Sequence, residues 1–159
     1  MNHDCKKVTI FVDADACPAA IRHALQSLAA AKSEILVYFV ASHNHQLNGL
    51  NERVFHVAVD ACPEAADLYI ANRVKKGDIA ITQDIGLASL LLSKEAYAIS
   101  YTGKPYAEET IDEKLFSRHL GAKLRRAGQK TKGPKKYTDD DFRQFERTLN
   151  KILSKEGLS

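Results

Sequence analysis

The chain has 159 residues, 45% hydrophobic and 27% charged, the size and balance of one soluble globular domain. No apolar run approaches the roughly 18 residues that span a bilayer, which argues against a membrane protein. Three cysteines, Cys5, Cys17 and Cys62, form no CxxC pair, and the eight glycines form no GxGxxG or GxxxxGK[ST], which excludes a disulfide scaffold, a zinc ribbon and the common nucleotide fingerprints. The net charge of +3 hides an asymmetry: residues 1–113 hold 10 Lys+Arg against 15 Asp+Glu, and residues 138–159 hold four against five. Residues 114–137 between them hold nine Lys+Arg and no acid. An acidic body with one concentrated basic segment predicts an anionic partner. The leading MNHDCKK, followed at once by VTIFV and two aspartates, is too short and acidic for a signal peptide, so a cytoplasmic chain with reduced thiols is expected.

In chain order, Val8–Val12 reads as a buried strand, and Pro18 as the first residue of a helix whose apolar face is Ile21, Ala24, Leu25 and Leu28. Glu34–Ala41 is a second strand, and the polar 42–53 stretch, with Gly49 and several asparagines, is a loop. Val54–Val59 is a third strand, and Pro63 opens a second helix. Gly77-Asp78 announces a fourth strand, Ile79–Thr82. A leucine-rich helix at Ile85–Lys94 and a fifth strand at Ala96–Tyr101 follow. Near the C-terminus, Thr138 precedes three aspartates, a hydroxyl N-cap with carboxylates in the first turn. Phe142, Phe145, Leu149, Ile152 and Leu153 then form an apolar stripe expected to pack on the sheet. This alternation predicts an α/β fold, a mainly parallel sheet flanked by helices with a C-terminal helical extension. Residues 1–159 are read as a single domain: an α/β core at 8–103, a helical and basic segment at 104–137, and a terminal helix at 138–156.

In open parallel sheets, ligands bind outside the carboxyl ends of the strands, and acids cluster there. Asp13 and Asp15 follow the first strand, Asp60 the third and Asp84 the fourth, while Asp67 shares the apolar face of its helix with Ile70, Ala71 and Val74. A carboxylate on such a face needs a partner. Mg²⁺ or Mn²⁺ would satisfy several of these acids at once and bridge them to phosphate. The rival reading of an aspartate at such a junction is a cap or turn former. That reading is favoured for Asp60, beside a proline-led helix start, and stays open for Asp15. Asp60-Ala61-Cys62-Pro63 echoes Asp15-Ala16-Cys17-Pro18, one local solution used twice. Cys17 and Cys62 are read as small buried residues rather than reactive thiols, although helix N-termini do lower thiol pKa values. His43 and His45 are read as solvent-facing.

Phe11-Val12-Asp13-Ala14-Asp15-Ala16-Cys17-Pro18, Glu64-Ala65-Ala66-Asp67-Leu68-Tyr69-Ile70 and Gly77-Asp78-Ile79-Ala80-Ile81-Thr82-Gln83-Asp84-Ile85-Gly86-Leu87-Ala88 resemble the YaiI/YqxD family. Gly133-Pro134-Lys135-Lys136 before an aspartate-led helix extends the likeness to about residues 8–153. The resemblance implies a PIN-like fold, related to metal-dependent ribonuclease domains. In it Asp13 matches the first-strand acid, Asp67 the helix acid, and Asp84 the acid of a Thr-x-Asp motif.

The expected function is therefore a divalent-metal-dependent nuclease, acting on RNA rather than DNA. Asp13, Asp67 and Asp84 are its catalytic and metal-holding residues, Asp15 assists in holding the metal, and Thr82 orients an acidic ligand by a hydrogen bond. Lys104, Arg118, Lys123, Arg125, Arg126, Lys130, Lys132, Lys135 and Lys136 are expected to hold the nucleic-acid backbone, the arginines by bidentate phosphate contacts. Lys114 belongs to the same run. With only Phe116 and Tyr137 as aromatics inside it, base stacking is not its expected mode. Two other functions fit parts of the pattern: a non-catalytic nucleic-acid-binding module, and a small-molecule phosphatase. Asp13-x-Asp15 is similar to the first motif of haloacid-dehalogenase phosphatases, but the later acidic pair that they need after a strand is out of order here.

Overall fold

A computed structural model of the chain describes residues 6–42, 52–62, 64–109, 111 and 136–158. Five strands form one all-parallel sheet: β1 (Val8–Asp13), β2 (Ile35–Ala41), β3 (Val54–Ala58), β4 (Ile79–Ile81) and β5 (Tyr97–Ile99). The helices are α1 (Ala19–Ala31), α2 (Ala65–Arg73), α3 (Ile85–Ser93) and α4 (Asp139–Lys155). The α/β reading holds. Most elements are shorter by a residue or two than the apolar runs suggest. Pro18, for example, has ψ of 142° and stands outside α1 as its N-cap residue. The 43–51 part of the expected loop, including His43 and His45, and Pro63 lie outside the described residues.

The strand order is β3-β2-β1-β4-β5. The chain builds outward from β1 through β2 to β3, then returns to the other side of β1 for β4 and β5. That reversal puts a topological switch point between β1 and β4, where the connections on either side diverge and leave a crevice at the carboxyl ends.

Alternation along the strands sorts side chains to two faces. Ile10 and Val12 of β1, Val37 of β2 and Ile79 and Ile81 of β4 share one core with Ile21 and Leu25 of α1 and with Phe145, Leu149, Ile152 and Leu153 of α4. Phe11, Val40, Ala80 and Ala98 share the other with Ile70 of α2 and Leu87 and Leu91 of α3. The apolar stripe of α4 thus packs as its sequence spacing predicts, with Phe142 partly buried at its margin. α4 also starts as predicted. Thr138 Oγ1 accepts the Asp141 N–H at 3.1 Å, and the Asp141 carboxylate accepts the Thr138 N–H at 3.0 Å, a reciprocal capping box.

Candidate active site at the switch point

Strand register brings the first two site residues together. Val12 pairs with Ile81 across β1 and β4, so Asp13 and Thr82, one step further on, lie side by side. Both take the parity of Phe11 and Ala80, which faces α2 and α3. Thr82 is fully buried, and its hydroxyl links the two strand ends. It donates to Asp13 Oδ2 at 3.5 Å and accepts the Asp84 N–H at 3.0 Å. The contact with Asp13 is long, and the contact with Asp84 fixes the turn that follows β4.

The helices on that face supply the other acids. Asp84 is the N-cap residue of α3, where its Oδ1 accepts the Leu87 N–H at 3.1 Å. The capping role and the cleft-lining role therefore coexist in one carboxylate. Asp67, in the first turn of α2, is half-buried. Its carboxyl is pushed up to about 6, first by burial, then by the charges of Asp84 and Asp13 and by a hydrogen bond with Asp84. Asp13 is raised too, by burial first and then by Asp15 and Asp84, against the lowering effect of the Thr82 hydroxyl. These acids face one another more than they face donors.

Asp13, Asp15, Asp60, Asp67 and Asp84 all line one cavity of about 280 Å³, and among the described residues no Lys, Arg or His lines it. Asp15 caps no helix, because α1 has no side-chain cap. Instead it accepts the Ser42 N–H at 2.9 Å and the Ser42 hydroxyl at 3.0 Å. Asp60 is a turn residue rather than a cap: α2 begins after Glu64, again without a side-chain cap, and Asp60 is exposed at the cavity. The two cysteines also part company. Cys17 is buried and its thiol is pushed up to about 12, mainly by that burial, as expected of a packing residue. Cys62 is exposed and lines the cavity, contrary to the buried role expected from its junction. Strand β3 ends at Ala58, so the Asp60-Ala61-Cys62 turn stands clear of the core.

Sequence reasoning missed the residues that hold this site from behind. The Tyr101 hydroxyl donates to the Asp13 carbonyl at 2.5 Å, and its N–H donates to Gln83 Oε1 at 3.0 Å. The Tyr106 hydroxyl donates to the Thr82 carbonyl at 3.2 Å. The Tyr137 hydroxyl donates to the Tyr101 carbonyl at 2.7 Å, tying the residue before α4 to the β5 end. Ser42, Gln83 and Tyr101 each follow directly on a buried strand or within two residues of one. The rule that located the aspartates, polar groups just past the strand ends, would have found them as well.

The donor set suits a hard divalent cation in kind, since it is rich in carboxylate oxygens. Among the described residues, however, no three His, Cys, Asp or Glu side chains are grouped closely enough to hold one ion as they stand. Of the expected backbone-binding residues, Lys104 and Lys136 are described and exposed. Arg118, Lys123, Arg125, Arg126, Lys130, Lys132 and Lys135 lie outside the described residues. No described helix is long and apolar enough to cross a membrane.

A family model described as "Uncharacterized BCR, YaiI/YqxD family" matches residues 11–155. The chain is 48% identical over 155 residues to a UPF0178 protein of Bacillus velezensis, covering 97% of this chain and 90% of that protein. It is 44% identical over 155 residues to one of Halalkalibacterium halodurans, covering 96% of each. It is also 39% identical over 146 residues to one of Clostridium tetani, covering 92% of this chain and 97% of that protein. No solved structure matches the chain significantly.

Proposed function

We propose that this chain, which belongs to the YaiI/YqxD family, is a divalent-metal-dependent nuclease that acts on RNA, with Mg²⁺ or Mn²⁺ as its cofactor. One observation carries the reading: five aspartates from four segments of the chain line one cavity at the switch point. Burial and mutual repulsion raise two of them, and such a group of acids is relieved by a cation with oxygen-ligand preference.

Asp13, Asp67 and Asp84 would hold that cation, with Asp15 assisting. When bound, such an ion supplies Lewis-acid polarisation of a phosphodiester and eases formation of hydroxide at neutral pH. The chain's own residues do the rest. Thr82 orients Asp13 and fixes the Asp84 turn, and Tyr101 clamps the Asp13 main chain. Ser42 holds Asp15 against the cavity wall. Asp67 carries a proton in acid and sheds it near pH 6, which leaves it ready as a ligand at neutral pH. Lys104, Lys136 and the basic 114–135 stretch would neutralise the phosphate backbone, the sequence-independent part of nucleic-acid affinity.

The test is cleavage of a mixed RNA pool by the parent and by Asp13→Ala, with Mg²⁺, with Mn²⁺ and with a chelator, beside a single-stranded DNA pool. The expected result is metal-dependent RNA cleavage that is lost in the variant while circular dichroism stays native. RNA binding without cleavage under any metal would replace this reading with a binding module. Turnover confined to small phosphate esters would replace it with a phosphatase.

A further inference from the structure

Beside the aspartate cleft lies a larger cavity, about 780 Å³, between the turn after β5 and the first turns of α4. It shares Ala16, Gln83 and Tyr101 with the cleft, so the two adjoin along one edge. Its chemistry differs. Among the described residues the cleft is lined by five carboxylates, whereas the larger cavity is lined by Lys104, the amides of Gln83 and Gln144, and the rings of Tyr101 and Tyr137. Its one acid, Asp141, is already committed to the capping box of α4.

The wall of this second cavity is built rigidly. Gly103 takes φ of +83°, and a Cβ there would come within 2.5 Å of the Gln144 backbone. The turn is thus pressed directly onto α4, and the Thr148 hydroxyl donates to the Gly103 carbonyl at 2.5 Å. Lys104 follows. Its N–H donates to Ser100 Oγ at 3.1 Å, and its carbonyl accepts the Ser100 N–H at 3.0 Å. Both tyrosine hydroxyls are spent on main-chain carbonyls, which fixes the two rings. Among the described residues the Lys104 ammonium has no carboxylate within ion-pair distance.

A lysine on an anchored turn, the amides of Gln83 and Gln144 and held aromatic rings suit a phosphate joined to a planar, hydrogen-bonding group, and the volume is that of a small-molecule site. We infer that this cavity holds the nucleotide next to the one whose phosphate lies at the aspartates, so that the substrate is a single RNA strand at least two nucleotides long. The inference rests on the nuclease reading above and narrows it: a small phosphomonoester would fill the cleft alone and leave Lys104 unused.

The experiment measures fluorescence-anisotropy binding of 5′-labelled oligouridylates, one to four nucleotides long, with Ca²⁺ in place of Mg²⁺. The proteins are the full chain, Lys104→Met, and Gln144→Trp, which puts bulk at the cavity mouth from an exposed position on α4. Cleavage of long RNA in Mg²⁺ is followed in parallel, and circular dichroism checks each fold. The expected result is a gain of about tenfold in the parent between one and two nucleotides, the size of one charge-assisted contact. Both variants should lose this gain, and Gln144→Trp should do so while keeping the parent's affinity for the mononucleotide. A parent that cleaves RNA but shows no gain at the second nucleotide, or variants that keep the gain, would overturn the inference and leave the aspartate reading standing. A parent that neither binds the ladder nor cleaves RNA would overturn the nuclease reading and this inference with it.

Discussion

The two ends of the sheet treat acidic residues in opposite ways. At the amino end, Asp78 is buried just before β4, and each carboxylate oxygen has a backbone donor: Thr9 N–H at 3.2 Å and Lys75 N–H at 3.0 Å. Glu156, also at that end, pairs with Lys6 and accepts the Tyr97 hydroxyl at 2.8 Å, and these contacts hold its carboxyl below the usual range. At the carboxyl end, Asp13 and Asp67 are made harder to ionise, by burial first and then by neighbouring carboxylates. Donors offset the cost of burying Asp78, whereas at Asp13 and Asp67 neighbouring carboxylates add to it. The contrast is strongest for Asp78 and Asp13. Burial is the leading cause that raises both, yet two N–H donors oppose it at Asp78 while other carboxylates reinforce it at Asp13.

Substitutions at the two ends should therefore fail differently. The largest expected effect is at Asp13. Asp13→Ala should lower RNA cleavage by about three orders of magnitude, on the order of 4 kcal/mol of transition-state stabilisation, with a denaturant midpoint near the parent's. Full activity in this variant would remove Asp13 from the chemistry. Next is Thr82→Val, which keeps shape and burial but deletes the hydroxyl between Asp13 and Asp84. Mn²⁺ affinity by calorimetry should fall roughly 10- to 100-fold, as for other residues that orient a ligand; unchanged affinity would show that the 3.5 Å contact orients nothing.

Asp78→Ala should do the reverse. It orphans two backbone donors and should cost about 2 kcal/mol in urea unfolding, with the turnover of folded protein unaltered. A variant as stable as the parent would mean that Asp78 is no more structural than the acids at the other end.

The smallest effect is a matter of pH. The folded-state pKa of Asp67, about 6, lies above the 3.8 of an unperturbed aspartate, so the folded chain holds that proton more tightly than the unfolded chain. Its contribution to stability is complete below pH 4 and is lost as pH rises through 6. In metal-free buffer, Asp67→Asn should remove this decline and melt about 1–2 °C higher than the parent at pH 8. Added Mn²⁺ should restore the parent by mass action and leave the variant nearly unmoved. Parallel melting curves for the two proteins across pH 4–8 would break the argument from repulsion.

Much of this was legible in the residue pattern, and the reasons are local. The apolar runs of β1 and β2 announce strands buried on both faces. The Thr138-to-Asp141 spacing announces its capping box, and the stripe from Phe142 to Leu153 announces the face that α4 buries. Asp13 and Asp84 were found because strand-end acids are visible in one dimension. Cys62 was misjudged because a turn before a proline reads the same whether it packs at a helix start or stands open at a cleft. Tyr101 lies within reach of the strand-end rule, two residues past β5, but Tyr106 was missed because its hydroxyl acts on a main-chain carbonyl 24 residues away, and composition carries no trace of such a contact.

The sequence by itself determined the element types, the faces they bury and the list of strand-end acids, because periodicity, capping and β-propensity act over a few residues. Tertiary structure alone decided that β4 returns beside β1, so that Asp13 and Thr82 become neighbours and Asp67 and Asp84 meet over the same crevice. Strand order and register are set by how the whole set of apolar faces can be buried at once. The electrostatic character of the site follows from that packing: Asp67 is raised by charges 17 and 54 residues away along the chain, at Asp84 and Asp13, which lie near one another only in the folded sheet.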